Sequence, residues 1–222
     1  MSIKLTGATS GSIELDVPAT VSGGDISLTL PNGVGTADQI LKNGSTPGTL
    51  EFSALSHGNM PTGSILQVKQ THVNTADSQS LAAQTYTEVS NLSVTITPVS
   101  STSNMLLFIR WCGEVSSGTH QLNFGIRRDS TNIGLPAAAG NKQLILAPTQ
   151  ISYHANNDST IDSCFFQFLD TGRPSGTSAI TYKAIAQHTS AITLYNQRVV
   201  SANDSFEYER GTSTIVVMEV AA

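Results

Sequence analysis

Hydrophobic and polar positions alternate in short runs along this chain, and the clearest run is written twice. Residues 11–31 read GSIELDVPATVSGGDISLTLP, in which Ile13, Leu15, Val17 and Pro18 return 13 positions later as Ile26, Leu28, Leu30 and Pro31. Each copy predicts a short strand with one oily and one wet face, ended by its proline. A unit of this size cannot sustain itself. Each buried aliphatic contributes roughly 2 kcal/mol, whereas ordering each backbone residue costs roughly 1–2 kcal/mol. The missing partners are either the downstream domain or identical repeats of other chains around a shared axis. The second arrangement is favoured, and it turns Ile13, Leu15, Val17, Ile26, Leu28 and Leu30 toward that axis. Ile3 and Leu5 form an imperfect third copy, because Leu5 precedes Leu15 by ten positions instead of 13.

After Pro31 the punctuation changes to Asn-Gly, Gly-Ser and Pro-Gly, and the stretch from Lys42–Ser45 to Thr49–Phe52 reads as a hairpin with a loose loop. SALSHGNMPTG then reads as a hinge. From Ser64 onward, strand patterns recur at regular spacing: 65–70, 86–89, 92–97, 105–115, 121–128, 144–147, 151–154, 161–169, 180–186, 192–199 and 214–220. The run from Met105 to Val115 is nearly continuous in apolar residues, as in a strand buried on both faces. No stretch holds a 3.6-residue period. The expectation is an all-β protein: an N-terminal intertwined, prism-like β stalk over 1–55, a hinge at 56–63, and an antiparallel jelly-roll β-sandwich over 64–222.

Composition narrows the partners. Charged residues are 12% of the chain, against roughly 25% in soluble proteins generally, so surfaces rely on hydroxyls and amides. Net charge is −5 with 11 Lys plus Arg, which leaves no basic field for nucleic acid or an anionic membrane. No apolar run approaches the roughly 20 residues of a membrane span, and the N-terminus lacks the apolar core of a signal peptide, so synthesis in the cytoplasm is expected. The sequons at Asn43, Asn91, Asn157 and Asn203 are then chance products of an Asn/Ser/Thr-rich chain. Cys112 and Cys164 have bulky apolar neighbours and read as buried thiols.

Candidate chemistry is sparse. GxSxG, HExxH, a Walker loop and a strand-following GxGxxG are all missing from the sequence. Glu207 and Glu209, two apart, would share one strand face, most simply a solvated one. His57, His72, His120, His154 and His188 have no ligand spacing, so no metal, cofactor or enzymatic activity is expected. The loop from Tyr153 to Thr160 is the better recognition candidate. Tyr153, His154, Asn156, Asn157 and Asp158 combine rings, amides and a carboxylate, the chemistry that holds a sugar by stacking and hydroxyl hydrogen bonds. Asp170–Arg173 and Ser201–Asp204 are its candidate neighbours. Arg110, Arg127 and Arg128 lie in or beside apolar strands; each needs a carboxylate or carbonyl partner at a subunit interface, or a route to water.

Several segments together resemble the short fibre and appendage proteins of tailed bacteriophages, particularly those of marine and cyanobacterial phages. They are the GSIELDVPA and ISLTLPN pair, Ala37–Leu41, Gly48–Phe52, Gly63–Val68, Leu92–Pro98 and Gly211–Ile215. The resemblance implies threefold stalks bearing a compact β-sandwich similar to the trimeric heads of C1q and tumour necrosis factor. It implies a homotrimer in the virion, as a tail fibre, head fibre or capsid decoration, docked to other virion proteins through residues 1–55. A rival is a glycan-binding receptor module whose head loops engage the host surface. A polysaccharide-cleaving tailspike is disfavoured, since such enzymes usually have a longer β-helical body.

Overall fold

The structure, a computed structural model, describes residues 27–46, 48–116, 122–149 and 159–222, together with the backbone of 3–6 and 12–15. The chain divides into two units, Met1–Ser56 and His57–Ala222.

In the first unit, β1 (Ile3–Thr6) and β2 (Ser12–Leu15) pair antiparallel, with Leu5 opposite Ile13 and Ile3 opposite Leu15. The imperfect copy is thus the strand partner of the first repeat. The second repeat behaves differently. Ile26 lies outside the described residues, as does Val17, and Ser27–Leu30 form no strand. Thr29 alone makes a parallel bridge to Thr49, donating to the Gly48 carbonyl at 2.7 Å and accepting from the Leu50 N–H at 2.8 Å. Gly48, at φ +83°, permits this: a Cβ there would lie 2.6 Å from the Ser27 carbonyl oxygen. The expected hairpin is present as β3 (Gln39–Asn43) and β4 (Leu50–Ala54).

The second unit contains β5 (Ile65–Val73), β6 (Asp77–Leu81), β7 (Thr87–Ile96), β8 (Asn104–Val115), β9 (Leu122–Arg128), β10 (Thr131–Ile133), β11 (Ala147–Thr149), β12 (Asp162–Asp170), β13 (Ile180–Gln187), β14 (Ile192–Asn196) and β15 (Ser213–Val220). One sheet runs β10-β9-β13-β7, with β11 also on β9. The other runs β5-β15-β8-β14-β6, with β12 also on β8. All these pairings are antiparallel, giving the jelly-roll type of β-sandwich. No helix among the described residues is long and apolar enough to cross a membrane.

The sandwich differs from the sequence expectation in instructive places. The separate runs at 86–89 and 92–97 are one strand, β7, in which Asn91 takes φ +61° and the pairing with β13 shifts register. Asparagine tolerates the left-handed region well, so the irregularity hides inside the strand. Strands β6 and β10 have too few aliphatics to announce themselves. Glu207 and Glu209 are not on a strand face; a turn closed by Tyr208 N–H to Ser205 C=O at 3.0 Å holds them in the connection after β14. The run at 151–154 lies outside the described residues.

The core follows the period-two pattern. Leu122, Phe124 and Ile126 of β9 meet Met105, Leu107, Ile109 and Trp111 of β8, all fully buried. Phe124 sits between Trp111 and Phe166 of the opposite sheet, at ring-centroid distances of 5.0 and 5.9 Å. Cys112 and Cys164 are free and buried on adjacent strands, one register step apart, so they belong to opposite faces.

Candidate functional site

Four surfaces are candidates for function. The first is the Tyr153–Thr160 loop. Tyr153, His154, Asn156, Asn157 and Asp158 lie outside the described residues. Its outgoing end is placed: the Ile161 N–H donates to Glu209 Oε2 at 3.0 Å, so the loop leaves beside the β14–β15 connection. That connection encloses a cleft of about 290 Å³ lined by Arg198, Asn203, Asp204, Tyr208, Glu209 and Arg210 among others. Within it Asn203 Nδ2 donates to the Tyr208 hydroxyl at 3.0 Å, and the Arg198 guanidinium lies 5.4 Å from the Tyr195 ring centroid. The structure therefore brings Ser201–Asp204 to the same end of the sandwich as residue 161.

Asp170–Arg173, expected as its neighbours, begin at the opposite end of β12 from residue 161 and are bonded within the fold. Arg128 Nη1 donates to both Asp170 carboxylate oxygens at 2.8 Å, and the Tyr182 hydroxyl and Gly172 N–H add bonds at 2.8 and 3.2 Å. Burial, then the Asp170 charge, pushes the Tyr182 phenol pKa well above its ordinary value. Arg173 braces the β7–β8 loop through the Ser100 and Ser103 carbonyls and the Ser103 hydroxyl. That loop in turn wraps the fully buried Glu219, which accepts from Gln67 at 2.6 Å, Val99 N–H at 3.0 Å, Ser100 N–H at 2.9 Å and Ser103 Oγ at 2.6 Å. Burial acts to raise the Glu219 pKa, but the bonds from Ser103, Gln67 and the two backbone N–H groups outweigh it and hold it below the usual carboxylate value.

The arginines are likewise satisfied within the chain. Arg110 is exposed and donates to the Thr212 carbonyl and hydroxyl at 3.1 and 2.8 Å. Arg127 and Lys183 converge on Glu88 at 3.1 and 2.9 Å. The Lys183 hydrogen bond is the main cause of the lowered Glu88 pKa. His57 and His72 are exposed; His188 is buried, with Nδ1 2.8 Å from the Ser190 carbonyl. His120 lies outside the described residues, and among those described no three His, Cys, Asp or Glu side chains gather as metal ligands.

A second surface was not singled out from the sequence. The outward face of β5, β15, β8 and β12 carries one row of Val68, Met218, Leu106 and Leu169, and another in which Val216 and Phe108 lie between Gln70 and Gln167. Phe165 stacks on Phe108 at 6.3 Å and is 63% exposed; Val68 and Leu169 are also exposed. The sequence signal was present in the nearly continuous apolar run of β8, which reads as burial on both faces, yet in the isolated chain one of those faces meets water.

The third surface is a cleft around Tyr86, Gln143 and Gln187 on the outer side of the β9–β13–β7 sheet, and it too went unread in the sequence. The fourth is the repeat, whose Leu28 and Leu30 are 63% and 71% exposed. Nothing is described of the Ile13 and Leu15 side chains.

No protein-family model matches the chain, and no curated protein sequence does. Among solved structures the chain is similar to that of infectious bursal disease virus, Gt strain, at 13% identity and a TM-score of 0.33, over 98% of this chain and 46% of that one. It is similar also to the VP2 subviral particle of the same virus, at 11% identity and a TM-score of 0.23, over 94% of this chain and 51% of that one. The chain thus spans about half the length of the viral chains it resembles.

Proposed function

We propose that the chain is a structural protein of a bacteriophage virion: a short homotrimeric fibre or decoration on tail or capsid, acting by assembly and adhesion and not by catalysis. In this reading residues 1–55 dock to other virion proteins and intertwine about a shared axis. Residues 64–222 associate through the outer face of β5, β15, β8 and β12. That face is the observation that carries the proposal. A contiguous apolar area on a sheet face marks an interaction surface. Its occupant is a second copy, because the rows of Val68, Met218, Leu106 and Leu169 and of Gln70, Val216, Phe108 and Gln167 carry no charge, so they meet their own copy without like-charge repulsion, while Arg110, beside them, is held by Thr212. The sequence resemblance to phage fibre proteins supports the threefold count and the virion setting.

Light scattering on the purified protein tests the assembly, with an expected mass three times the 23.3 kDa chain. A single-chain mass at micromolar concentration overturns it. Imaging of particles carrying a labelled copy then separates capsid from tail.

The second reading is a glycan-binding receptor module. It is favoured by the cleft of Asn203, Asp204 and Tyr208, which lies where the Tyr153–Asp158 loop returns to the fold. Binding of the protein to host-cell glycans, lost in an Asn156→Ala, Asp158→Ala double variant, supports it. No binding to host cells sinks it.

A further inference from the structure

The outer side of the β9–β13–β7 sheet is not open along its length. Residues 134–146 leave β10 and return to β11 across it, with Leu135 over Gly125 and Ile185 and with the Tyr86 hydroxyl donating to the Leu144 carbonyl. Ile185 is fully buried there although it points away from the sandwich core.

Where this arm meets the ends of β7 and β13 it leaves a cleft of about 340 Å³ lined by Tyr86, Asn141, Lys142, Gln143, Gln187 and Thr189, with Gln84 and Leu144. That volume falls at the lower end of the roughly 300–1,000 Å³ of small-molecule sites. Two wall residues are incompletely satisfied. Gln143 Oε1 accepts from Asn123 Nδ2 at 2.7 Å, which leaves Gln143 Nε2 buried with no hydrogen-bond partner. Gln187 is 7% exposed, and its Oε1 is likewise buried and unpartnered. A buried orphan donor and a buried orphan acceptor, on two elements lining one cleft, each cost the fold stability.

We infer that this cleft is a binding site for a neutral carbohydrate. A sugar hydroxyl is donor and acceptor at once, so with both amides turned toward the cleft it answers an orphan N–H and an orphan carbonyl alike. The half-buried Tyr86 ring offers an apolar surface for a pyranose face. The cleft lining includes no carboxylate and one exposed cation, Lys142, which suits an uncharged ligand. The inference stands on the second unit alone and needs neither the trimer nor the Tyr153–Asp158 loop.

Saturation-transfer NMR on the full chain with galactose, glucose and N-acetylglucosamine tests it. At least one sugar is expected to give signal. Gln187→Leu, and separately Gln143→Leu, should weaken that binding roughly tenfold, about the worth of one orphaned polar group. Gln187→Leu should also keep or raise the melting temperature, because it removes an unpaired buried carbonyl. The two substitutions sit on different elements, so misfolding of one variant leaves the other informative. Silence with all three sugars, or binding unaffected by both substitutions, overturns the inference. Loss only in the Asn156→Ala, Asp158→Ala variant also overturns it and assigns the sugar to the other cleft.

Discussion

The Tyr182 hydroxyl donates a 2.8 Å hydrogen bond to Asp170, tying the middle of β13 in one sheet to the last residue of β12 in the other. With the Arg128 ion pair, also at 2.8 Å, it makes a polar cross-link at the edge of an otherwise apolar sandwich. Tyr182→Phe keeps the ring and removes one donor to a buried charge, so urea unfolding should show a loss of about 1–3 kcal/mol. Asp170→Ala, which strands Arg128 and the phenol together, should cost about 3–5 kcal/mol. A double-mutant cycle giving no coupling between positions 128 and 170 would contradict this account.

Glu219 sets the acid limb of stability. Its folded pKa lies below the value of about 4.5 it has when unfolded. Its contribution is therefore complete above that unfolded value and is lost as pH falls through the folded one, where the unfolded chain takes up the proton first. Glu88 shifts in the same direction, but it is partly exposed and contributes less. Denaturant midpoints measured from pH 7 down to 3 should drop on the acid side, and Glu219→Gln should flatten that drop while lowering stability at neutral pH.

Gly113 is a point of close approach. A Cβ there would lie 2.1 Å from the Tyr195 carbonyl oxygen of β14 and 2.8 Å from the Trp111 ring. Gly113→Ala must push β14 away and disturb the 2.8 Å bond from Trp111 Nε1 to Asn196. The expected cost is about 1–3 kcal/mol or more, with a changed tryptophan fluorescence spectrum. An unchanged melting curve would mean the strands separate freely here.

Burial raises the Cys164 thiol to about 11 and moves Cys112 upward as well. Little thiolate is then present at neutral pH, and neither group is a ready nucleophile. Reaction with an aromatic disulfide reagent at pH 7.5 should be slow in the native protein and rapid in denaturant. Fast labelling of either thiol in the native state would show that its strand opens locally.

The two candidate assembly surfaces can be separated by substitution. Phe165→Lys, at a side chain already 63% exposed, should leave the second unit's unfolding transition in place while reducing the light-scattering mass. Leu28→Asp should separate the N-terminal segments and leave that transition untouched. If neither changes the mass, association runs through some other surface.

The sequence by itself determined the class of fold and most strand positions, because period-two alternation of Val, Ile, Leu and Phe is imposed locally by a pleat with one buried face. It determined the β3–β4 hairpin through its turn residues. It did not determine where the second repeat ends up, since Leu28 and Leu30 have the pattern of a strand and the burial of a loop. Nor could it give the destinations of Arg110, Arg127 and Arg128, whose partners Thr212, Glu88 and Asp170 are 102, 39 and 42 residues away. The orphan amides of Gln143 and Gln187 were invisible for the same reason. Whether a polar group finds a partner depends on which distant strands the topology places beside it, and only the tertiary structure decides that.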